Sequence, residues 1–572
     1  MAKHSVRRST ALRRTTSFLA VVVSVVLVAG LLAATAAASP ASDEADAQKN
    51  EALVKSGPMT PLKAKLQGKT DIDFGANCDT TTGRVKIPSV YAPPCVQPFT
   101  GRNGGSTSEG VTGDEIKIVV FNTDPAKDPL VSGQLRAAGA EINLNTIQQT
   151  WQGYVDIYNR LFELYGRKIS AEFFVGTGAG SDTAAAKADA IAIADKKPFA
   201  VLGGPQQSTA VFADELAHRG VLCLGTCATA MPQTITDANK PYILTNGPSP
   251  EQGATLTAEF VGKQAGPGKA EFAGDDATKS KNRVYGIVHY DTPDGQYKGQ
   301  FETLKSGLKK YKITPKADQS FFLDLSRAQE TARTVITKMK DAGVTTIIYT
   351  GDPLMPSSIT KEATAQNFHP EWVLGPTVLV DTAIFGRTYD QTQWAHAFGV
   401  QLTPGRTTES VDITRALYEW FHGSPPPNNT YNVINPSVQT LARGVMLAGP
   451  KLTPQTFRDG LFRYPPSGGD AINPQQSWGK HGVWPFTDYN GSEDAAMLWW
   501  DPSATGEDEV GQVGPGLYRA AEGGKRYTRG KFPPKGQGGM FDAATSATIF
   551  EQIPPEVGLP SYPSPASGSP TG

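Results

Sequence analysis

Gln206, Gln207, Ser208 and Thr209, followed further along by Thr226, Cys227, Ala228 and Thr229, are the residues of this 572-residue chain whose types and spacing invite chemistry. Each set sits just after a short apolar run. Together they offer hydroxyls, side-chain amides and, where Ser208 and Thr209 start a helix, free backbone N–H groups, which favour a small polar or anionic group. No histidine or carboxylate stands among them. The pattern reads as a binding site without an obvious catalyst.

The elements that must position these loops follow from hydrophobic patterning. Residues 199–202 and 221–224 are continuous apolar runs separated by a helix-length segment, which predicts two neighbouring parallel strands joined by a crossover helix. Both loops then open on one sheet edge, where ligands of open α/β sheets bind. Upstream, residues 116–120 predict a first strand, Trp151, Val155, Tyr158, Phe162 and Tyr165 a helix face aimed at the sheet, 168–175 a strand and 184–194 a helix. A second series follows a Gly-Pro-Ser-Pro turn at 247–250. It comprises helix 254–263, strand 283–290, helix 297–309, strands 320–323, 345–350 and 371–374, and helices 327–342 and 357–367. Tyr290, Asp291, Asp294 and Tyr297 sit at the outgoing end of its first strand, and Asp352 and Thr377 after later ones. The fold class expected is therefore α/β, with two doubly wound parallel-sheet lobes joined by a hinge and a ligand cleft between them.

Arg7, Arg8, Arg13 and Arg14 precede an apolar run at 18–34 and the small residues Ala36 to Ser39, the layout of a secretory signal spanning residues 1–38. The same run read as an uncleaved membrane anchor is the alternative. Removing it takes five basic residues and no acids, so the formal charge moves from −1 to −6. That balance excludes nucleic acid as a partner, which would need clustered positive charge. In an oxidising compartment Cys78 and Cys95, framing a turn-rich loop, are expected to pair. Cys223 and Cys227 can bond only if the chain turns at Gly225, and the three pairings of four cysteines stay open. The Cys-x-x-x-Cys spacing lacks the second ligand pair of a zinc site, so no metal is expected.

Composition divides the rest. Residues 39–110 read as a polar leader and a disulfide-pinned extension, 111–247 as the first part of lobe 1 and 248–398 as lobe 2. Residues 399–531 read as a return to lobe 1 with an aromatic-rich wrap around it (Trp478, Trp484, Phe486, Tyr489, Trp499, Trp500), and 532–572 as a disordered Gly/Pro/Ser tail. A rival reading is a nicotinamide-dependent enzyme, because Gly176-Thr-Gly-Ala-Gly180 lies between a strand and a helix. Its third glycine is one position early and the next strand ends in glycines rather than a ribose-binding acid. No Gly-x-Ser-x-Gly elbow or His-Glu-x-x-His helix occurs, and the seven histidines are scattered.

Several stretches in sequence carry a family resemblance: Gly-Val-Thr-Gly-Asp-Glu-Ile-Lys-Ile at 110–118, Tyr-Gly-Arg-Lys-Ile at 165–169, Val-Leu-Gly-Gly-Pro-Gln-Gln-Ser-Thr at 201–209 and Gly-Val-Leu-Cys-Leu-Gly-Thr-Cys-Ala-Thr at 220–229. Asp-Gly-Gln-Tyr at 294–297, Thr-Gly-Asp-Pro at 350–353, the helix-like 435–449 and Trp-Trp-Asp-Pro at 499–502 continue it. From about Val111 to Asp501 the chain resembles the type I periplasmic solute-binding proteins of ABC transporters, in the leucine/isoleucine/valine-binding branch. The resemblance implies an extracytoplasmic, non-enzymatic, cofactor-free protein, monomeric, that closes on a small polar organic solute (an amino acid or amide-like molecule) and delivers it to a membrane permease. A ligand-sensing receptor uses the same fold. By order in the chain it assigns ligand contacts to Gln206, Gln207, Ser208, Thr209, Thr226, Cys227, Ala228 and Thr229 in one lobe. Tyr290, Asp291, Asp294, Tyr297, Asp352 and Thr377 follow in the other. The large amides of Gln206 and Gln207 and the cysteine at 227 depart from the amino-acid-binding pattern.

Overall fold

The computed structural model describes residues 50–567 except 138, 293, 294 and 378. The expected signal at 1–38 and the site residue Asp294 lie outside the described residues.

Five strands form the first sheet: β1 (Glu115–Asn122), β2 (Lys168–Val175), β3 (Ala200–Leu202), β4 (Leu222–Leu224) and β5 (Ile243–Leu244). They are parallel and ordered β2-β1-β3-β4-β5. Alternation along β1 explains why the sheet is covered twice. Ile116, Ile118 and Val120 join a core with Trp151, Val155 and Tyr158 of helix α1 (Leu144–Leu161). Val119 and Phe121 face Ala186 and Ile193 of α2 (Thr183–Ala194) and Phe212 and Leu216 of α3 (Thr209–His218). Each such fully buried large side chain contributes roughly 1.5–3 kcal/mol relative to exposure. Helix α1 stops at Leu161, short of the expected face, because Phe162 takes extended backbone with φ −101° and ψ 149°, and Tyr165 then turns with a φ of 61°. Its ring stays buried and its hydroxyl donates to the Met446 carbonyl at 2.6 Å.

The second sheet begins after α4 (Pro250–Phe260), which a complete capping box starts at Ser249 and Gln252. Strands β6 (Tyr285–Tyr290), β7 (Ala317–Phe321), β8 (Thr346–Thr350), β9 (Glu371–Leu374) and β10 (Ala397–Gln401) are parallel. Antiparallel β11 (Asp494–Glu507) follows, carrying β12 (Val513–Ala520) and β13 (Arg526–Thr528). Helix α4 and α5 (Lys298–Lys309) cover one face, and α6 (Ala328–Asp341) and α7 (Met355–Ala365) the other. The two-lobed, doubly wound α/β class read from the sequence is the observed one.

Three differences from the sequence reading have physical causes. Helix α8 (Tyr431–Ala448) buries Val438, Leu441 and Val445 in the first core. The aromatic stretch instead divides. Trp478 enters the first core and Trp484 the second, while Trp499 and Trp500 lie in β11 paired with β10. Ala495, Met497 and Trp499 point to one face of that sheet and Leu498 and Trp500 to the other, so both faces bury residues and no one-sided alternation marks the strand. The segment 532–567 is anchored by buried Phe532, Ile549, Phe550 and Val557, and the Tyr562 hydroxyl donates to Asp79 at 3.0 Å. Glycine and proline keep it irregular without removing those anchors. The extension around the Cys78–Cys95 bond contributes Val85, Ile87, Ala92 and Val96 to the first core itself.

Passages of the chain between the lobes include 245–249, 402–412 and 488–493. The first and third crossings are bonded together: Thr245 N donates to the Tyr489 carbonyl at 3.0 Å and its hydroxyl to Asn490 Oδ1 at 3.1 Å.

Candidate functional site

In the first lobe the two polar loops are built as one unit. Gly203 has a φ of 73°, and a Cβ there would meet the Phe121 carbonyl at 2.2 Å, so the chain can leave β3 so close to β1 only as glycine. Gly203 N donates to Thr226 Oγ1 at 3.2 Å, and Thr209 Oγ1 to the Thr229 carbonyl at 3.2 Å. The sulfurs of Cys223 and Cys227 are bonded to each other, closing the turn at Gly225. Ser437 of α8 accepts from Thr226 N at 3.1 Å. The turn is thus clamped from three sides.

Those bonds sort the expected site residues. Cys227 and Ala228 are fully buried in the core behind the sheet. Thr226 and Thr209 spend their hydroxyls joining the loops. Gln206 and Thr229 are exposed and Gln207 is half-buried. Ser208 differs from all of them. It occupies the N-cap position of α3 yet makes no capping bond, and its hydroxyl is buried without a hydrogen-bond partner. A buried hydroxyl left unpaired costs stability, so helix capping does not account for this side chain.

In the second lobe Tyr290 and Tyr297 place their rings 5.8 Å apart, and Asp291 accepts from Thr292 N at 2.8 Å. Asp352 caps α7, Oδ1 accepting from Leu354 N and Met355 N at 2.7 and 2.9 Å, while Oδ2 is buried without a partner. Burial pushes its carboxyl above the usual range. Thr377 is half-buried in the loop after β9. Two residues not singled out from the sequence share this edge. Thr350 at the end of β8 and Gln296 before α5 have buried side-chain polar atoms with no partner, both amide atoms in the case of Gln296. Gln296 lies in the Asp-Gly-Gln-Tyr quartet and Ser437 in the helix-like 435–449, but neither stretch marked the residue itself.

The lobes face one another across a cavity of about 450 Å³. Val211, Asp214 and Ile235 line it from the first lobe, and Glu251, Gln296 and Glu302 from the second. It adjoins the expected loops without containing the expected residues: Ala210 in its wall follows Thr209, and Gly295 and Gln296 lie between Asp294 and Tyr297. Glu251 Oε2 accepts from Gln233 N at 3.1 Å, a bond that joins the lobes, and burial pushes the Glu251 carboxyl up.

The glycine motif at 176–180 serves packing. A Cβ on Gly176 would lie 2.5 Å from the Phe121 ring, and one on Gly178 2.3 Å from Ala185. Asp182 already caps α2, accepting from Ala185 N at 2.9 Å, and Asp189 holds Thr177 N at 2.9 Å.

No protein-family model and no curated protein matches this chain. Among solved structures it is similar to type I periplasmic binding proteins of ABC transporters. One is the periplasmic binding protein type 1 from Bordetella pertussis Tohama I, at 13% identity over 70% of this chain and 100% of that one, with a TM-score of 0.44. A solute-binding protein of an ABC transporter from Rhodopseudomonas palustris HaA2, in complex with p-hydroxybenzoic acid, aligns at 12% identity over 73% and 98%, TM-score 0.47. A fatty acid ABC transporter substrate-binding protein from Thermomonospora curvata aligns at 14% identity over 73% and 95%, TM-score 0.47. At these values the fold assignment rests on the strand orders and lobe crossings themselves.

Proposed function

We propose that this chain is an extracytoplasmic solute-binding protein that closes its lobes on a small polar organic solute and hands it to the permease of an ABC transporter. The observation that carries the reading is the interlobe cavity with the Gln296 amide in its wall, both amide atoms buried without a partner, while on the adjoining loops the Ser208 hydroxyl of the first lobe and the Thr350 hydroxyl of the second are likewise uncommitted. Native proteins pair such groups, and a solute seated between the lobes would pair these. Asp214, Glu251 and Glu302 against the single Lys298 in the cavity wall favour a solute bearing an amino group over a simple anion, in keeping with an amino acid or amide-like molecule. The reading is of binding without turnover. Pairing of all four cysteines suits an oxidising compartment, and among the described residues no helix is long and apolar enough to cross a membrane.

A thermal-shift screen of residues 39–572 against amino acids, amides, polyamines, sugars, aromatic acids, fatty acids and nicotinamide cofactors tests it. Ligand at a hundred times its dissociation constant stabilises by about 2.7 kcal/mol. Stabilisation by an amine- or amide-bearing solute, lost in Gln296→Ala, is the expected result. Stabilisation only by nicotinamide cofactors would overturn the reading.

A further inference from the structure

Among these crossings, 488–493 carries two carboxylates buried together. Asp488 and Glu493 are both 2% exposed. Asp488 Oδ2 accepts from Gln252 Nε2 at 2.7 Å, reaching across to the first turn of α4, and Oδ1 accepts from Asn490 N at 2.9 Å. Gln252 also accepts from Ser249 N at 2.7 Å. The carboxylate therefore ties the third crossing to the helix that the first crossing starts. Glu493 Oε1 accepts from the Ser477 hydroxyl. Its Oε2 is buried, and the Trp484 indole leans toward it without closing a hydrogen bond.

The surrounding charges leave this pair uncompensated. Asp494, the next residue, acts on Glu493 as Asp488 does, and it is itself taken by Arg526 at 2.8 Å. Arg443 lies 5.1 Å from the Trp478 ring and spends its guanidinium on Gln476 and Thr440. Lys240 and Arg458 approach through the Tyr489 side chain, Lys240 5.1 Å from its ring. Glu251, beside Gln252, adds another carboxyl, and His481 turns Nε2 to the Trp478 carbonyl at 2.7 Å. Two carboxylates in one dry hinge, with no cation paired to either among the described residues, cannot both ionise cheaply.

We propose that Asp488 and Glu493 form a proton-operated latch on the hinge: protonated, the pair keeps the 488–493 crossing docked on Gln252 and Ser477, and each ionisation loosens it. Burial pushes Asp488 up to about 6 and Glu493 well above the usual range, with the Asp488 charge adding to the latter. The sign follows. Groups raised in the docked state stabilise it fully in acid and lose that contribution as pH rises through their docked values. The latch holds in acid and slackens toward and above neutrality. For Asp488 alone, a rise from 3.8 to about 6 allows up to about a hundredfold change in the opening equilibrium. The inference concerns the empty protein and does not depend on which solute it takes.

Hydrogen exchange of the ligand-free chain, residues 39–572, at about pH 5 and about pH 8, corrected for intrinsic rates, reads the latch directly. The expected result is a rise of about tenfold or more confined to 245–252 and 488–493. Tryptophan emission, reporting through Trp484, should titrate with it. Glu493→Gln and Asp488→Asn should keep slow exchange at the higher pH, while His481→Gln should respond like the parent. A parent chain with no rise at the crossings, a response that survives in both carboxylate variants, or one that disappears in His481→Gln would each overturn the proposal. Should the carboxylate variants fail to fold, the parent decides: a rise confined to the two crossings supports the latch, and a flat or uniform profile refutes it.

Discussion

The hydroxyl of Ser437 lies 3.1 Å from the backbone nitrogen of Thr226 and 3.2 Å from its side-chain oxygen. The two residues are 211 positions apart. A late helix thus holds the turn that the earlier polar loops share, and Gly225 makes room for it, since a Cβ there would fall 2.4 Å from Ser437 Oγ.

Replacing Ser437 with alanine should therefore loosen the turn. The expected cost is about 1 kcal/mol of stability, with Thr226 N left unpaired, and a weaker grip on the solute. Chemical denaturation and a binding isotherm check both.

Ser208→Ala should behave differently. Its hydroxyl has no partner to lose, so the unfolding free energy should fall by less than about 0.5 kcal/mol or rise slightly, while solute affinity falls about five- to tenfold, as for loss of one hydrogen bond. A drop in stability with unchanged affinity would assign the hydroxyl to the fold.

Asp381 reports on the second crossing. Burial works to raise its carboxyl, but the Arg406 guanidinium and bonds from Thr403 and Gln401 outweigh it and hold the group below the usual range. A depressed carboxylate stabilises above its unfolded value and loses that contribution as pH falls through its folded one. Melting temperature should fall below about pH 4 in the parent, and Asp381→Asn should lower it at neutral pH while flattening that acid limb.

The two disulfides should separate by function. Closing the longer 78–95 loop is worth about 3 kcal/mol in chain entropy and the short 223–227 loop about 2. Cys78→Ala with Cys95→Ala should lower the melting temperature more. Cys223→Ala with Cys227→Ala should change solute affinity more, because that bond shapes the turn carrying Thr226.

The sequence by itself determined the local elements and their class. Continuous apolar runs made 200–202 and 222–224 strands, aromatic spacing made 144–161 a helix, and the order of such units made two parallel sheets, because backbone periodicity and burial are written in nearest-neighbour chemistry. It also placed polar loops at the sheet edges. It could not say which side chains those loops would leave uncommitted. Whether Ser208 caps its helix or stands unpaired, and whether Thr226 faces a solute or Ser437, depends on partners far along the chain. The same holds for β11, whose residues face two cores at once, and for Gln296, whose amide is orphaned only because no neighbour from either lobe reaches it. Hydrogen-bond satisfaction and lobe pairing are properties of the assembled molecule, so only the tertiary structure decided them.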